Sequence, residues 1–194
     1  MSWYIEAATE PTALEQEIAA GNRAHCVQSY DEMNKKRGLQ WEASREISAL
    51  AATKYYSILK AGSVHPVDLK SRVLSATGAG IIARVYRITS SDYTGGVADP
   101  VYNMRPSIGT VLGTQVLTGF TLTTPVANLT RRGADLVLRV NSQGAQGGFA
   151  PDGFGSNRIV DVNEQILLEI ESLGAQFVFA RLEFYEGPLD YPLP

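Results

Sequence analysis

Residues 158–187 constrain the fold more than any other stretch. They read RIVDVNEQILLEIESLGAQFVFARLEFYEG. Ile166, Leu168 and Ile170 alternate with Glu169 and Glu171, and Val178, Ala180, Leu182 and Phe184 alternate with Phe179, Arg181, Glu183 and Tyr185. A period of two is the signature of a strand with one face toward a core. The linking Ser172-Leu173-Gly174-Ala175 is turn-like, so the spacing predicts a hairpin of two long antiparallel strands.

The same alternation recurs upstream. Residues 69–77, 81–88, 115–124 and 135–140 are strand candidates, and Ile81, Ala83 and Val85 form one side of the second of these. Threonines in 115–124 suit a pleated surface because their branched side chains pack there. Residues 90–113, with Thr94-Gly95-Gly96, Asp99-Pro100 and Arg105-Pro106, are expected to cross from one sheet to another. Residues 141–157 hold five glycines and form a long loop, either a contact surface or a plain excursion between strands. No strong helix alternates with these strands, so the expected fold is all-β: an antiparallel, jelly-roll-like β-sandwich of seven or eight strands.

The first forty-five residues differ and are read as an N-terminal, partly helical arm, with residues 46–194 forming the β domain. Residues 12–20 predict a short helix, with Pro11 before it, Thr12 and Glu15 as a capping box and Gly21 at its end. Leu14 and Ile18 lie four apart and share a face of that helix. A weaker helix is drawn over 27–36. Such an arm cannot build its own core. It packs on its own domain or on a neighbouring subunit, with Leu14, Ile18, Trp3 and Trp41 as the interface residues. Residues 41–52 admit both a helix, from the stripe Ile47, Leu50 and Ala51, and a strand; residues 54–59 favour a strand.

Composition narrows function by exclusion. Hydrophobic residues make up 44% of the chain and charged residues 19%, with a net charge of −3. Nucleic-acid binding calls for a basic patch, so no nucleic-acid partner is expected. No apolar run approaches the ~20 residues that span a bilayer, so no membrane partner is expected either. No signal peptide is visible at the N-terminus, which predicts synthesis in a cytoplasm. The single cysteine, Cys26, excludes an intrachain disulfide.

The search for chemistry returns no catalytic residue, no metal site and no cofactor. His25, His65 and Cys26 are too few and too scattered for zinc. Side chains of adjacent His25 and Cys26 point apart, a poor nucleophile–base arrangement. Asp152, Asp161 and Asn163 lack the acidic density of a calcium cage. Glu169, Glu171, Glu183 and Glu186 could supply the two carboxylates of a glycosidase, but they read more simply as a solvated strand face paired across strands. Tyr55, Tyr56 and Tyr86 read as sheet-face packing rather than a sugar platform.

Residues 41–106, from WEASREISALAATKYYSILKAG through IIARVYRITSSDYTGG to PVYNMRP, resemble small accessory virion proteins of tailed bacteriophages, and residues 165–192 continue the likeness. The likeness lies in packing and turn patterns, and it leaves the first forty residues unmatched. It implies a jelly-roll-like capsid decoration (cement) protein that binds the major capsid protein on the virion surface and associates with itself, often as a homotrimer. It also implies a strand over 47–52. The alternative reading is a carbohydrate- or host-surface-binding module of a phage fibre or tail; a hydrolase on the same scaffold comes last.

Overall fold

The computed structural model describes residues 13–18, 22–27, 37–138, 147–149 and 159–187. Among these described residues fourteen strands follow in chain order. The arm contributes β1 (Ala13–Ile18) and β2 (Asn22–Val27). The body begins with β3 (Gln40–Ala49), β4 (Thr53–Lys60), β5 (Val67–Ala76) and β6 (Ile81–Ile88). An excursion follows with β7 (Tyr93–Ala98), β8 (Tyr102–Asn103) and β9 (Gln115–Leu122). A single 3-10 turn (Val126–Asn128) leads to β10 (Leu136–Leu138), β11 (Gly147–Phe149) and β12 (Ile159–Val160). The chain closes with β13 (Gln165–Ser172) and β14 (Gln176–Glu186).

Two antiparallel sheets make a β-sandwich. One has the order β11-β5-β14-β3-β8, with β12 beside β5; the other has the order β10-β6-β13-β4-β9-β7. Inward residues of both sheets alternate along their strands, as the period-two pattern requires. Trp41, Leu69, Val67, Leu182 and Phe184 meet Leu59, Val116 and Ile166 in one core cluster. Ile47, Leu74 and Val178 meet Ile81 and Ala83 in a second.

The predicted hairpin over 158–187 is not one. β13 and β14 lie in different sheets, so residues 173–175 arch across the sandwich. The physical reason is that Ile166, Leu168 and Ile170 of β13 have to face Val178, Leu182 and Phe184 of β14 across a core, whereas hairpin partners would set them side by side on one surface. Gln176 holds the corner. Its Oε1 accepts from the amides of Gly78 (3.1 Å) and Gly80 (3.2 Å), and its Nε2 donates to the Gly80 carbonyl and to Ser172 Oγ, both at 2.6 Å. The β3–β4 and β5–β6 connections arch between sheets in the same way.

The arm also differs from expectation. Residues 13–18 are a strand, not the predicted helix, and pair with β2 in the register Ala13↔Val27 to Ile18↔Asn22. A nine-residue helix with one narrow stripe is below the length that is stable alone, and pairing with β2 satisfies the same backbone groups. The second predicted helix, over 27–36, falls outside the described residues apart from Val27, which ends β2. Of the ambiguous 41–52, residues 41–49 lie in strand β3, which runs across residue 45, the predicted end of the arm, while 50–52 form the bend after it, so the strand implied over 47–52 stops at Ala49. Of the glycine-rich loop, only Gly147–Phe149 is described, as a strand against Leu74–Ala76.

One face of the second sheet is covered by the excursion rather than by the first sheet. Ile58, Tyr86, Ile88 and Leu167 pack there against Tyr93, Leu117, Phe120, Val126 and Leu129. β13 therefore has apolar neighbours on both faces, which explains why it reads QILLEIES rather than as a clean apolar–polar alternation.

Candidate functional site

The four carboxylates open to catalysis come first. Glu169 stands opposite Arg84 in the β13–β6 register. Arg84 Nη1 donates to Glu169 Oε1 at 2.6 Å and to Glu171 Oε2 at 2.5 Å, while Arg84 Nε reaches Asp135 Oδ2 at 3.1 Å. Lys54 Nζ lies 3.5 Å from Glu169, and Arg131 pairs with Asp135. Three carboxylates and three cations thus form one neutral network on the covered side of the sheet. The Glu169 side chain has no exposure to solvent, so the expectation of a solvated glutamate face fails here. Burial by the excursion is the cause, and the guanidinium compensates the buried charge.

Electrostatics in the cluster follow from this packing. Hydrogen bonding to Glu171 raises the pKa of Arg84 against the opposing effect of burial. Burial first, then the Glu169 carboxylate, holds the Tyr56 hydroxyl above its ordinary value, and the same pair of causes raises Tyr86. Glu169 Oε2 finds no donor in good hydrogen-bond geometry, although the Tyr56 hydroxyl is near enough to feel its charge. A glutamate acting as general acid has to present its carboxyl to substrate; Glu169 presents its carboxyl to Arg84 inside the fold.

The remaining glutamates have structural partners. Glu186 is buried and accepts from the amides of Gly113 (2.8 Å) and Thr114 (2.9 Å), pinning the lead-in to β9. Glu183 pairs with Arg181, which also reaches Glu42 at 3.2 Å. Sequence reading names Arg181 as a partner but misses Arg84. The available signal is an arginine in the middle of the strand IIARVYRI, flanked by Ala83 and Val85.

A cavity of about 60 Å³ lies between the sheets, lined by Arg45, Ser57, Arg72, Leu74, Ala180 and Leu182 among others. Arg45 Nη1 spans the sandwich to the Tyr56 carbonyl (3.2 Å) and Ser57 Oγ (3.3 Å). Burial lowers Arg72 to about 10, so it stays a cation at neutral pH. Ligand pockets run to about 300–1,000 Å³, so this space accommodates water rather than a sugar or a drug-sized molecule.

The predicted interface residues separate. Trp41 is buried in the core, 7% exposed, because it sits on the inward side of β3; its side chain is not a docking surface. Leu14 and Ile18 occur on β1, where the register sets them opposite Cys26 and Asn22. Trp3 lies outside the described residues. Tyr55 packs at the second core cluster and Tyr56, Tyr86 and Tyr93 pack on the covered face. The exposed large aromatics among the described residues are Tyr102 and Phe177. Among the described residues no group of three or more His, Cys, Asp or Glu side chains is placed to hold a metal, and no helix is long and apolar enough to cross a membrane.

No family model matches the chain, and no curated protein matches it. Among solved structures, it is similar to chains in the structures of infectious bursal disease virus, Gx strain (13% identity, TM-score 0.14, covering 88% of this chain and 45% of that one) and Gt strain (13%, 0.15, 93% and 48%). A chain of T=1 particles derived from the same virus gives 12% identity and a TM-score of 0.14, covering 90% and 44%. The chain thus spans less than half the length of these matches, and a likeness this slight decides nothing about function.

Proposed function

We propose that this chain is a non-enzymatic structural protein of a bacteriophage virion, a decoration or cement protein that binds the major capsid protein and associates with itself. The observation that carries the reading is the strand order. β3-β14-β5-β11 faces β4-β13-β6-β10, and among these eight strands the chain changes sheet at every step except from β6 to β10. That is the order of a jelly roll, an arrangement used by virus shells as well as lectins and cupins. The resemblance of residues 41–106 and 165–192 to accessory virion proteins supports the first of these uses. The buried cluster at Arg84 supports a rigid scaffold, since its charges are spent on one another rather than offered to a substrate.

On this reading the protein is made in the host cytoplasm and resides on the capsid surface as a homotrimer. Shell binding gains from several weak contacts made at once, because each linked contact raises the effective concentration of the next. The test compares particles assembled with and without the chain. Its presence should raise the temperature at which shells open, and native mass measurement should give a trimer. An unchanged opening temperature at full occupancy refutes the cement role.

A further inference from the structure

The two sheets are unequal at one edge. Beyond β4 the second sheet continues with β9 and β7, whereas beyond β3 the first sheet has only β8, which pairs with Trp41 and Glu42. Among the described residues no strand pairs with residues 43–49 on that side. The Met104 amide donates to the Gln40 carbonyl on the β8 side, while the Glu186 amide donates to the Leu39 carbonyl on the β14 side. With alternation along the strand, the amides and carbonyls of Ser44, Glu46 and Ser48 point to the open edge. All three residues are exposed. A bare edge of this length is a template for another strand.

The arm supplies a strand that fits. β1 and β2 form a sheet of their own, and an isolated two-stranded hairpin is at best marginally stable in water. β2 has six residues, with Arg23 and His25 at alternate positions; β3 carries Glu42 and Glu46 on its outer side. Antiparallel addition of β2 in the register Arg23↔Glu46 sets one basic residue opposite an acidic one, with His25 then opposite Ser44. β1 then becomes the next strand, and the first sheet gains the two strands that β9 and β7 give the second.

We propose that β2 of one copy adds to the β3 edge of a second copy, so that the arm hairpin completes its neighbour's sheet. A neighbour is favoured over the same chain by the entry to β3. The Gly38 carbonyl accepts from Asn103 Nδ2 (2.8 Å) and Thr110 Oγ1 (2.6 Å). β8 and the 103–110 loop therefore stand between the start of β3 and the open edge, and the chain's own hairpin has to pass around them. The inference deepens the self-association in the proposed function and says nothing of the shell.

The test is amide hydrogen exchange on the full chain across a concentration series, read at Ser44, Glu46 and Ser48, with native mass measured in parallel. Protection that rises with concentration, in step with the oligomer, is the expected result. Glu46→Pro removes an edge donor and spares the β14 ladder, so it should weaken association roughly tenfold, the effect of a lost backbone hydrogen bond with added strain. If that variant does not fold, the exchange series on the unaltered chain decides alone. Oligomers with unprotected edge amides overturn strand addition and leave self-association standing. Protection independent of concentration assigns the edge to the chain's own hairpin and overturns the exchange between copies. A monomer at every concentration overturns both.

Discussion

Arg84→Met isolates the most heavily used charge in the fold. Arg84 is the closest cation to Glu169, whose side chain is fully buried, and it also binds Glu171 and Asp135, which are 28% and 30% exposed. Removing one member of a buried pair costs about 3–5 kcal/mol, because the other charge is stranded. The contacts to Glu171 and Asp135 face solvent in part and add about 0–1 kcal/mol each. Lys54 stays within 3.5 Å of Glu169 but is 45% exposed, so it screens the stranded carboxylate incompletely. The expected loss is therefore about 3 kcal/mol, near the lower end of that range.

Urea unfolding reads this directly. With a slope of about 2 kcal/mol/M, the midpoint should fall by about 1.5 M, and the melting temperature should drop by roughly 6–12 °C for a chain of this size. Arg84→Met combined with Glu169→Leu removes both charges and should recover to within about 1 kcal/mol of the unaltered protein, since apolar replacement of a buried pair is often neutral. A single-variant loss below about 1 kcal/mol, or a double variant worse than the single, would refute the view that Glu169 is a buried charge compensated by Arg84.

Two further outcomes follow from the same packing. Gln176→Leu deletes four hydrogen bonds that join the β13–β14 arch to the β5–β6 arch; at about 0.5–1.5 kcal/mol each, with partial repair by water, the loss should be about 2–4 kcal/mol in urea, and a loss under half of that shows that the arches hold without it. Tyr56, Tyr86 and Tyr93 have folded values raised above 10.0. Their contribution to stability is thus complete below that pH and is lost as pH rises through the raised values, so in an absorbance titration these three should ionise at higher pH in the folded chain than tyrosines do in the unfolded chain.

Strand positions were legible because alternation is a local property. The predicted 81–88 matches β6 residue for residue, and 115–124 overruns β9 by two. Sheet membership was not legible, because it depends on which face of one strand meets which face of another. Residues 172–175 carry turn chemistry equally suited to a hairpin or an arch; the side chain that decides, Gln176, acts through Gly78 and Gly80, nearly one hundred residues upstream in sequence. Glu169 was misread for the same reason. Its alternation correctly places it away from the core between the sheets, but the excursion after β6 covers that second face. Trp41 shows the converse: an aromatic expected at an interface is buried by the strand that carries it.

Replacing the arm's predicted helix by a hairpin changes the kind of contact the arm can make. A helix satisfies its own backbone and docks through a side-chain stripe, so Leu14 and Ile18 would carry the binding and a polar substitution at either would abolish it. A hairpin leaves one backbone edge of each strand unpaired and docks through those groups, with side chains setting register rather than supplying most of the attraction. The β3 edge offers the complementary groups at Ser44, Glu46 and Ser48, three residues with small or charged side chains. The chemistry of that edge therefore selects a strand as its partner, and the arm is the part of the described chain that brings strands not already built into the sandwich.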